Sequence, residues 1–371
     1  MKLTIQREDI LGPLQIISGA VEKRQTLPIL SNVLLSVQGQ SLSFTATDLE
    51  IEVIGRASLG QQKKAEDGEI TVEARKLIDI CRALPDGAII EMLFEKGRAI
   101  LRSGKSRFVL STLPAEEFPS VEEKRLEGEG FFLPQKELKK LIEKTHFAMA
   151  QQDVRYYLNG MLFELKQGVV RLVATDGHRL SSAFLASPSL SGISSSQIII
   201  PRKGVLELMR LLEDEGEDAK ISIGANHIRV EAPSFTFTSK LIEGKFPNYD
   251  KVVPKGGKKE VIIDRDVLKR ALTRVSILSN ETYRGVRVFL TSGGLSLSAN
   301  NPEQEEAEED VAINYKGADL EIGFNVGYLI DICNIASSSS IKMTFSDTDG
   351  GVLVEEEGDD RFVYVVMPML L

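Results

Sequence analysis

The chain repeats itself, and that repetition constrains its fold more than any other feature. Thr71-Val72-Glu73-Ala74-Arg75-Lys76-Leu77 answers to Ile199-Ile200-Pro201-Arg202-Lys203-Gly204-Val205, an offset of 128. Thr45-Ala46-Thr47-Asp48 recurs as Val173-Ala174-Thr175-Asp176, and Phe118-Pro119 as Phe246-Pro247, both again at 128. A third copy follows with small insertions and deletions. Ile5-Gln6-Arg7-Glu8 matches Ile263-Asp264-Arg265-Asp266, Thr47-Asp48 matches Asn300-Asn301, Asp79-Ile80-Cys81 matches Asp331-Ile332-Cys333, and Arg107-Phe108 matches Arg361-Phe362. A chain of 371 residues is also long enough for two or three cores. The reading is three domains at residues 1–125, 130–253 and 260–371, joined by charged, Gly-bearing stretches at 120–130 and 250–260.

Each copy carries the same coarse pattern. An alternating strand leads into a helix, then strands, a second helix and more strands. Leu138, Leu141, Ile142 and Thr145 recur at helical spacing over 136–148, and Val267, Leu268, Ala271, Leu272 and Val275 do so over 266–278. Further helices are expected near 75–84, 203–213 and 326–336. Segments such as Gly160–Leu165, Val169–Ala174, Ile198–Pro201 and Phe362–Met367 alternate or are β-branched, as strands are. Hairpin turns are expected at Gln38-Gly39, Gln167-Gly168 and Gly293-Gly294. The unit is α+β, with two helices and about eight antiparallel strands.

Charge narrows the function. The chain carries 45 basic and 54 acidic side chains, a net of −9. That excludes a globally basic nucleic-acid coat, though not a locally basic surface. Windows 73–84, 135–148 and 264–275 hold eleven Lys or Arg against six Asp or Glu, so base is concentrated on helices and acid lies elsewhere, mostly in 303–310 and 355–360. This segregation predicts a polyanion-facing helical surface, with Lys144 counted among its bases, although solvated helix faces carry such charges too. Gln151-Gln152-Asp153-Val154-Arg155-Tyr156-Tyr157 and its counterpart Glu22-Lys23-Arg24-Gln25 offer groups that touch phosphate and sugar without reading bases. A half-buried tyrosine pair at a strand entry is the structural alternative.

Several classes are excluded. The two cysteines, Cys81 and Cys333, occupy equivalent places in different copies and read as buried helix residues, consistent with a reducing cytoplasm. No apolar run is long enough to span a membrane, and the N-terminus is not a secretory signal. There is no phosphate loop, dinucleotide fingerprint or metal-ligand spacing, so neither cofactor nor metal is expected. Asp176-Gly177-His178-Arg179 invites a hydrolase reading, with His178 as base and Asp176 as its orienter. Yet Asp176 is the counterpart of Asp48, which is followed by Leu49-Glu50 and no histidine, so a turn after a strand explains it better.

Five strings carry a resemblance to a known family. They are Thr26-Leu27-Pro28-Ile29-Leu30, Asp153-Val154-Arg155-Tyr156-Tyr157-Leu158-Asn159-Gly160-Met161, Ala174-Thr175-Asp176-Gly177-His178-Arg179-Leu180, Asn300-Asn301-Pro302-Glu303-Gln304-Glu305-Glu306-Ala307-Glu308-Glu309 and Tyr364-Val365-Val366-Met367-Pro368-Met369. Together, in this order, they resemble the bacterial β sliding clamps, processivity subunits of DNA polymerase III. The resemblance implies a non-catalytic, cytoplasmic, head-to-tail homodimer of six similar domains. These would form a closed ring around duplex DNA, with helices lining the hole and sheets outside. A non-encircling interaction scaffold is the alternative.

The resemblance also assigns residues. DNA contacts fall on Arg24, Gln152, Tyr156 and Tyr157. The subunit contact falls on Arg107 and Phe108 in the first domain and on Ile277, Leu278 and Glu303 in the third. Arg102, Lys105 and Arg107 would face Glu303, Glu305, Glu306 and Glu308. A groove accepting short peptides with Gln and apolar residues maps to Leu158, Thr175, Gly177, His178, Arg179 and Leu180. Its other walls are Pro247 and Val252, then Asn325 and Tyr328, then Val365, Val366, Met367, Pro368 and Met369. Its implied partners are the polymerase catalytic subunit, the clamp loader, and other polymerases and repair proteins. Lys251, Tyr283, Asp349, Gly351 and Leu370 depart from the family pattern.

Overall fold

The computed structural model describes residues 1–21, 27–59, 65–119, 130–257, 259–346 and 350–370. Its six helices are α1 (Arg7–Ile17), α2 (Ala74–Ala83), α3 (Gln135–Thr145), α4 (Arg202–Leu211), α5 (Arg265–Ser276) and α6 (Val326–Ile335). Both ends of α1 and α3, and of α2 and α4, differ by 128, the offset read from the sequence. Among the described residues there are twenty-four strands, eight to a copy.

The helices form where an apolar stripe meets a cap. α5 buries Leu268, Ala271, Leu272 and Val275, at i, i+3, i+4 and i+7, and Asp264 Oδ1 accepts the Val267 amide at 2.8 Å. Val267 was expected in that stripe but is exposed, because it lies one position off it in the capped first turn. α3 buries Leu138, Leu141 and Ile142, and Thr145 Oγ1 donates back to the Leu141 carbonyl at 2.7 Å. Cys81 and Cys333 are buried and free, as expected. Burial pushes each thiol up to about 12.

Contacts divide the chain into two compact units: Met1–Lys139 with Lys203–Leu241, and Lys140–Arg202 with Ile242–Leu371. Their boundaries do not follow the repeat, because strands of the middle copy contribute to both. In the first unit a twelve-stranded antiparallel sheet continues from strand Ile51–Ser58 directly into Phe235–Lys240. In the second, an eight-stranded sheet continues from Arg179–Ala186 into Asp359–Val366. The two junctions are repeat equivalents: the fourth strand of one copy pairs with the last strand of the next. The second unit also contains a four-stranded sheet in the order 306–312, 294–300, 285–291, 320–325.

The turns follow the predicted chemistry with small shifts. Gln167 and Gly168 both adopt positive φ (51° and 78°) between strands ending at 166 and beginning at 169, as a tight primed turn requires. The other two turns fall one residue away from expectation, at Gly39-Gln40 and Ser292-Gly293, where a glycine supplies the left-handed backbone. The expected joint at 120–130 lies outside the described residues except Gly130. Of the joint at 250–260, Lys259 already opens a strand.

Candidate functional site

The expected groove residues lie in the second unit, around one end of its eight-stranded sheet. Register decides which of them share a face. Leu162 stands opposite Val173 and Ile199, Thr175 opposite Leu180, Leu180 opposite Val365, and Val365 opposite Leu353. With a side-chain period of two, all seven point to one side. Leu162, Val173, Leu180, Ile199, Phe246 and Val365 form a buried apolar cluster there, with Tyr157, Ile242, Tyr249, Leu353 and Val253 packed against it. Pro247 and Val252 lie exposed in the segment that contributes Phe246, Tyr249 and Val253. Leu158 is buried in the short 3-10 turn Tyr156–Asn159.

The turn 175–179 is built from its own side chains. Asp176 Oδ1 accepts the amides of His178 and Arg179 at 2.9 and 3.0 Å, and Thr175 Oγ1 donates to the Arg179 carbonyl at 2.6 Å. The first copy has the same turn: Asp48 Oδ1 accepts the Glu50 and Ile51 amides, both at 2.8 Å, and Thr47 Oγ1 donates to the Ile51 carbonyl. Gly177 (φ 92°) and Leu49 (φ 74°) take the same left-handed place. With Asp176 Oδ2 engaged by Arg179 Nε at 3.1 Å, its carboxylate is committed to structure rather than to orienting His178. The hydrolase reading has no geometry behind it.

Arg179 points to the opposite side of the sheet, opposite Val366, and organises a second group of expected residues. Its guanidinium bonds Asp331 Oδ2 at 2.5 Å and the Phe147 carbonyl at 2.8 Å, and lies 4.4 Å from the centroid of the Tyr328 ring. A planar cation sandwiched in this way is positioned by ion pairing and stacking together. Burial, then the Asp176 and Asp331 charges, pushes the Tyr328 hydroxyl above the usual tyrosine range. Asn325 Oδ1 caps α6 at the Gly327 amide, 2.9 Å away, while its Nδ2 donates to the Tyr283 carbonyl at 3.3 Å.

The two groups meet around the strand ends. Met367 N donates to the His178 carbonyl at 2.8 Å, and Met369 N to the Gly323 carbonyl at 2.9 Å. The tail therefore lies against both the turn and strand Leu320–Asn325. Val365 and Val366 are core residues, whereas Met367, Pro368 and Met369 are only partly covered. Gly177 and His178 are exposed at the rim. The site is thus an apolar shelf whose accessible groups are Pro247, Val252 and Met367, backed by the buried cluster, beside a polar turn and a stacked arginine; it can hold apolar side chains on one part and hydrogen-bonding groups on the other.

The expected DNA contacts divide. Arg24 lies outside the described residues. Gln152 and Tyr156 are exposed; Tyr157 is half-buried on the apolar cluster, with its ring edge-on to Tyr156 at 5.8 Å. Arg155 is exposed but engaged by its neighbours: it forks onto Asp153 at 3.0 and 2.8 Å and reaches the Asp176 carbonyl at 3.1 Å. Hydrogen bonds from the Arg155 side chain and amide hold the Asp153 carboxyl down at about 2.

Among the helical bases, Arg75, Lys136 and Arg270 are exposed, but Lys144 is not. Its ammonium is buried against Glu356 at 2.5 Å and also bonds the Ile335 carbonyl and Ser337 Oγ at 2.7 and 2.8 Å. Lys144 therefore cannot serve a polyanion-facing surface as the sequence suggested. It was misplaced because its partner lies 212 residues away.

The expected subunit-contact residues occupy strand edges. Arg107 and half-buried Phe108 lie on strand Ser106–Leu113. That strand pairs along one side with Arg98–Ser103, and along the other, among the described residues, only through Thr112 and Leu113. Ile277 follows α5 and is 74% exposed, beside half-buried Leu278. Glu303 is exposed just before strand Glu306–Ala312, which ends its sheet.

Sequence reasoning missed Asp331, Phe147, Glu164 and Tyr249 as contributors to the site. Asp331 is the one charged residue in Val326–Ile335, and Glu164 is a carboxylate inside the apolar strand Gly160–Leu165; both contrasts were legible signals.

Comparison with known proteins places the chain. Family models for the DNA polymerase III beta subunit match in tandem: the N-terminal domain over residues 1–122, the central domain over 132–248 and the C-terminal domain over 250–370. The beta sliding clamp of Pseudomonas putida is 53% identical over 374 residues, and that of Escherichia coli K12 is 49% identical over 371, each alignment covering 100% of both chains. Among solved structures, a Pseudomonas aeruginosa sliding clamp bound to griselimycin superposes with a TM-score of 0.96 at 53% identity, and the Caulobacter crescentus pol III beta with 0.92 at 37%, again over 100% of both chains.

Proposed function

This chain belongs to the DNA polymerase III β-subunit family, the bacterial sliding clamps, and on that premise we propose that two copies join head to tail into a ring around duplex DNA. Its function is that of a sliding clamp for DNA polymerase III, a non-catalytic processivity factor. The observation that carries the ring is the repeated strand junction. Copy one's fourth strand pairs with copy two's last strand, and copy two's fourth with copy three's last. Copy three's fourth strand, Glu306–Ala312, and most of copy one's last strand, Ser106–Leu113, have open edges among the described residues. A second chain supplies the missing partner for each, by the same rule that built the first two junctions.

Charge complements the edges. Arg102, Lys105 and Arg107 are exposed on one, and Glu303, Glu305, Glu306 and Glu308 on the other. Exposed pairs of this kind orient an interface more than they stabilise it. Covering Ile277 and Leu278 supplies apolar burial, worth ~1.5–3 kcal/mol for each side chain fully removed from water. Within the ring, Arg24, Gln152, Tyr156 and Tyr157 would touch DNA without reading sequence. Such contacts are salt-sensitive and permit sliding. The domains at 1–125, 130–253 and 260–371 are the repeating segments of the ring.

The edge site around Leu180, His178, Arg179 and Met367 is the docking groove. Short peptides from the polymerase catalytic subunit, the clamp loader and repair proteins would lay apolar side chains on the shelf. Tethering then raises the partner's effective concentration at the primer end.

The test is retention on nicked circular DNA after loading, in salt that screens phosphate contacts. Protein that stays on the circle and leaves once the circle is cut is topologically linked. Protein that leaves both forms at one rate binds only locally, as the non-encircling scaffold would.

A further inference from the structure

We propose that Glu164 is a positioning residue for the docking groove, holding one wall in place through Tyr249; the proposal rests on the groove reading above. Strand Gly160–Lys166 is apolar up to its exposed last residue, Lys166, except for this carboxylate, which is 7% exposed. Residues 162 and 164 share a face, so Glu164 projects from the same side of the sheet as Leu162 and its apolar cluster. Two donors reach it. Gln197, directly across the strand pair, donates from Nε2 to Oε1, and the Tyr249 hydroxyl donates to Oε2 at 2.7 Å. The tyrosine ring meanwhile packs on the Leu162–Leu180–Val365 cluster. Burial and the bond to Glu164 both push its hydroxyl above the usual tyrosine range.

Tyr249 is also the anchor of its own segment. Its carbonyl accepts the amides of Val252 and Val253 at 3.0 and 3.3 Å. One residue thus fixes a wall from both ends, its hydroxyl on the sheet and its carbonyl on the turn that presents Val252. Pro247 and Val252 stand exposed on either side of that anchor. Without the hydroxyl bond, the short turn Tyr249–Lys251 keeps its packing but loses the directional contact that sets its height above the sheet. A ligand would then have to order the wall on binding, at a cost in affinity.

Calorimetric titration with griselimycin, the compound held by the P. aeruginosa relative, tests this. Tyr249→Phe should weaken binding about tenfold, the scale of one hydrogen bond to a charged group. It should also speed hydrogen exchange at the Val252 and Val253 amides in the free protein, while lowering the thermal midpoint of the second unit by only the few degrees that one lost hydrogen bond costs. Glu164→Leu should match Tyr249→Phe, and the double variant should be no weaker than either. Glu164→Gln keeps an acceptor and should restore most of the affinity. Unchanged affinity in Tyr249→Phe, or losses that multiply in the double variant, would overturn the positioning role. Failure of the unaltered protein to bind griselimycin would instead count against the groove itself.

Discussion

Breaking the Lys144–Glu356 pair should damage the fold asymmetrically, and the structure says which side should hurt more. The two side chains are 4% and 2% exposed. Lys144→Met removes the ammonium but leaves Glu356 with three donors: the Ser337 and Ser338 amides at 2.8 and 3.2 Å and the Tyr364 hydroxyl at 2.9 Å. Deleting one member of a buried pair costs ~3–5 kcal/mol, and the surviving donors put this variant at the low end, ~3 kcal/mol. Glu356→Leu strands two amides and a hydroxyl, and leaves a buried ammonium with no counter-charge, only the Ile335 carbonyl and Ser337 Oγ. At ~1–3 kcal/mol for each buried group left unsatisfied, its loss reaches ~5 kcal/mol or more. In the double variant no charge is stranded, so its cost should fall short of the two single losses combined by at least ~2 kcal/mol. Scanning calorimetry reads this directly. A unit of about 150–250 residues shifts by ~2–4 °C per kcal/mol, so Lys144→Met should lower the midpoint of the second unit by ~6–12 °C. A loss below ~1 kcal/mol, the range of exposed pairs, or a strictly additive double variant would refute the reasoning.

Three further outcomes are expected. Ile277→Ala combined with Leu278→Ala should yield monomers by light scattering, and an unchanged mass would sink that interface assignment. Burial, then the Arg202 charge, lowers the His146 pKa from its ordinary 6.5, and its Nδ1 is buried without a hydrogen-bond partner among the described residues. Below pH 6.5 the unfolded chain therefore takes the proton first, and stability falls with pH until the folded-state value is passed. Urea midpoints at pH 7.5 and 5.5 should differ less in His146→Phe than in the unaltered protein. Leu49 holds the left-handed place that the second copy gives to Gly177, so Leu49→Gly should raise stability by ~0.5–1 kcal/mol, read as a higher urea midpoint at unchanged slope.

The sequence carried most of the fold because the fold is a repetition, and a repeat checks itself. Helix bounds, and those of the second to fifth strands, reproduce the 128 offset in the first two copies. The turns at Gly39-Gln40 and Ser292-Gly293 were displaced by one residue because a glycine signals a turn without fixing which neighbour shares it. Individual groove positions were named through resemblance, but their division between two faces, with Leu180 in the buried apolar cluster and Arg179 stacked on Tyr328, follows only from strand register. Long-range pairs escaped altogether. Nothing near Lys144 announces Glu356, and Glu164 is 85 residues from Tyr249. For Glu164 the readable hint was a lone charge in an apolar strand, a pattern that signals a buried partner without identifying it; Lys144, one of four lysines on its helix, offered no such hint.

Sharing the middle copy between two sheets also governs the order in which the nascent chain can fold. The first sheet is complete once residue 240 has left the ribosome. Strand Arg179–Ala186 is synthesised earlier but pairs with Asp359–Val366, nearly the last segment made. At ~5–20 residues per second, the interval from Ala186 to Asp359 is roughly 10–35 s. Throughout it, a strand edge stands open, the kind of template that pairs with the wrong chain. Translation speed through the last third of the message therefore becomes a determinant of yield for this protein, and slow codons there should increase aggregation while the same codons in the first third should not.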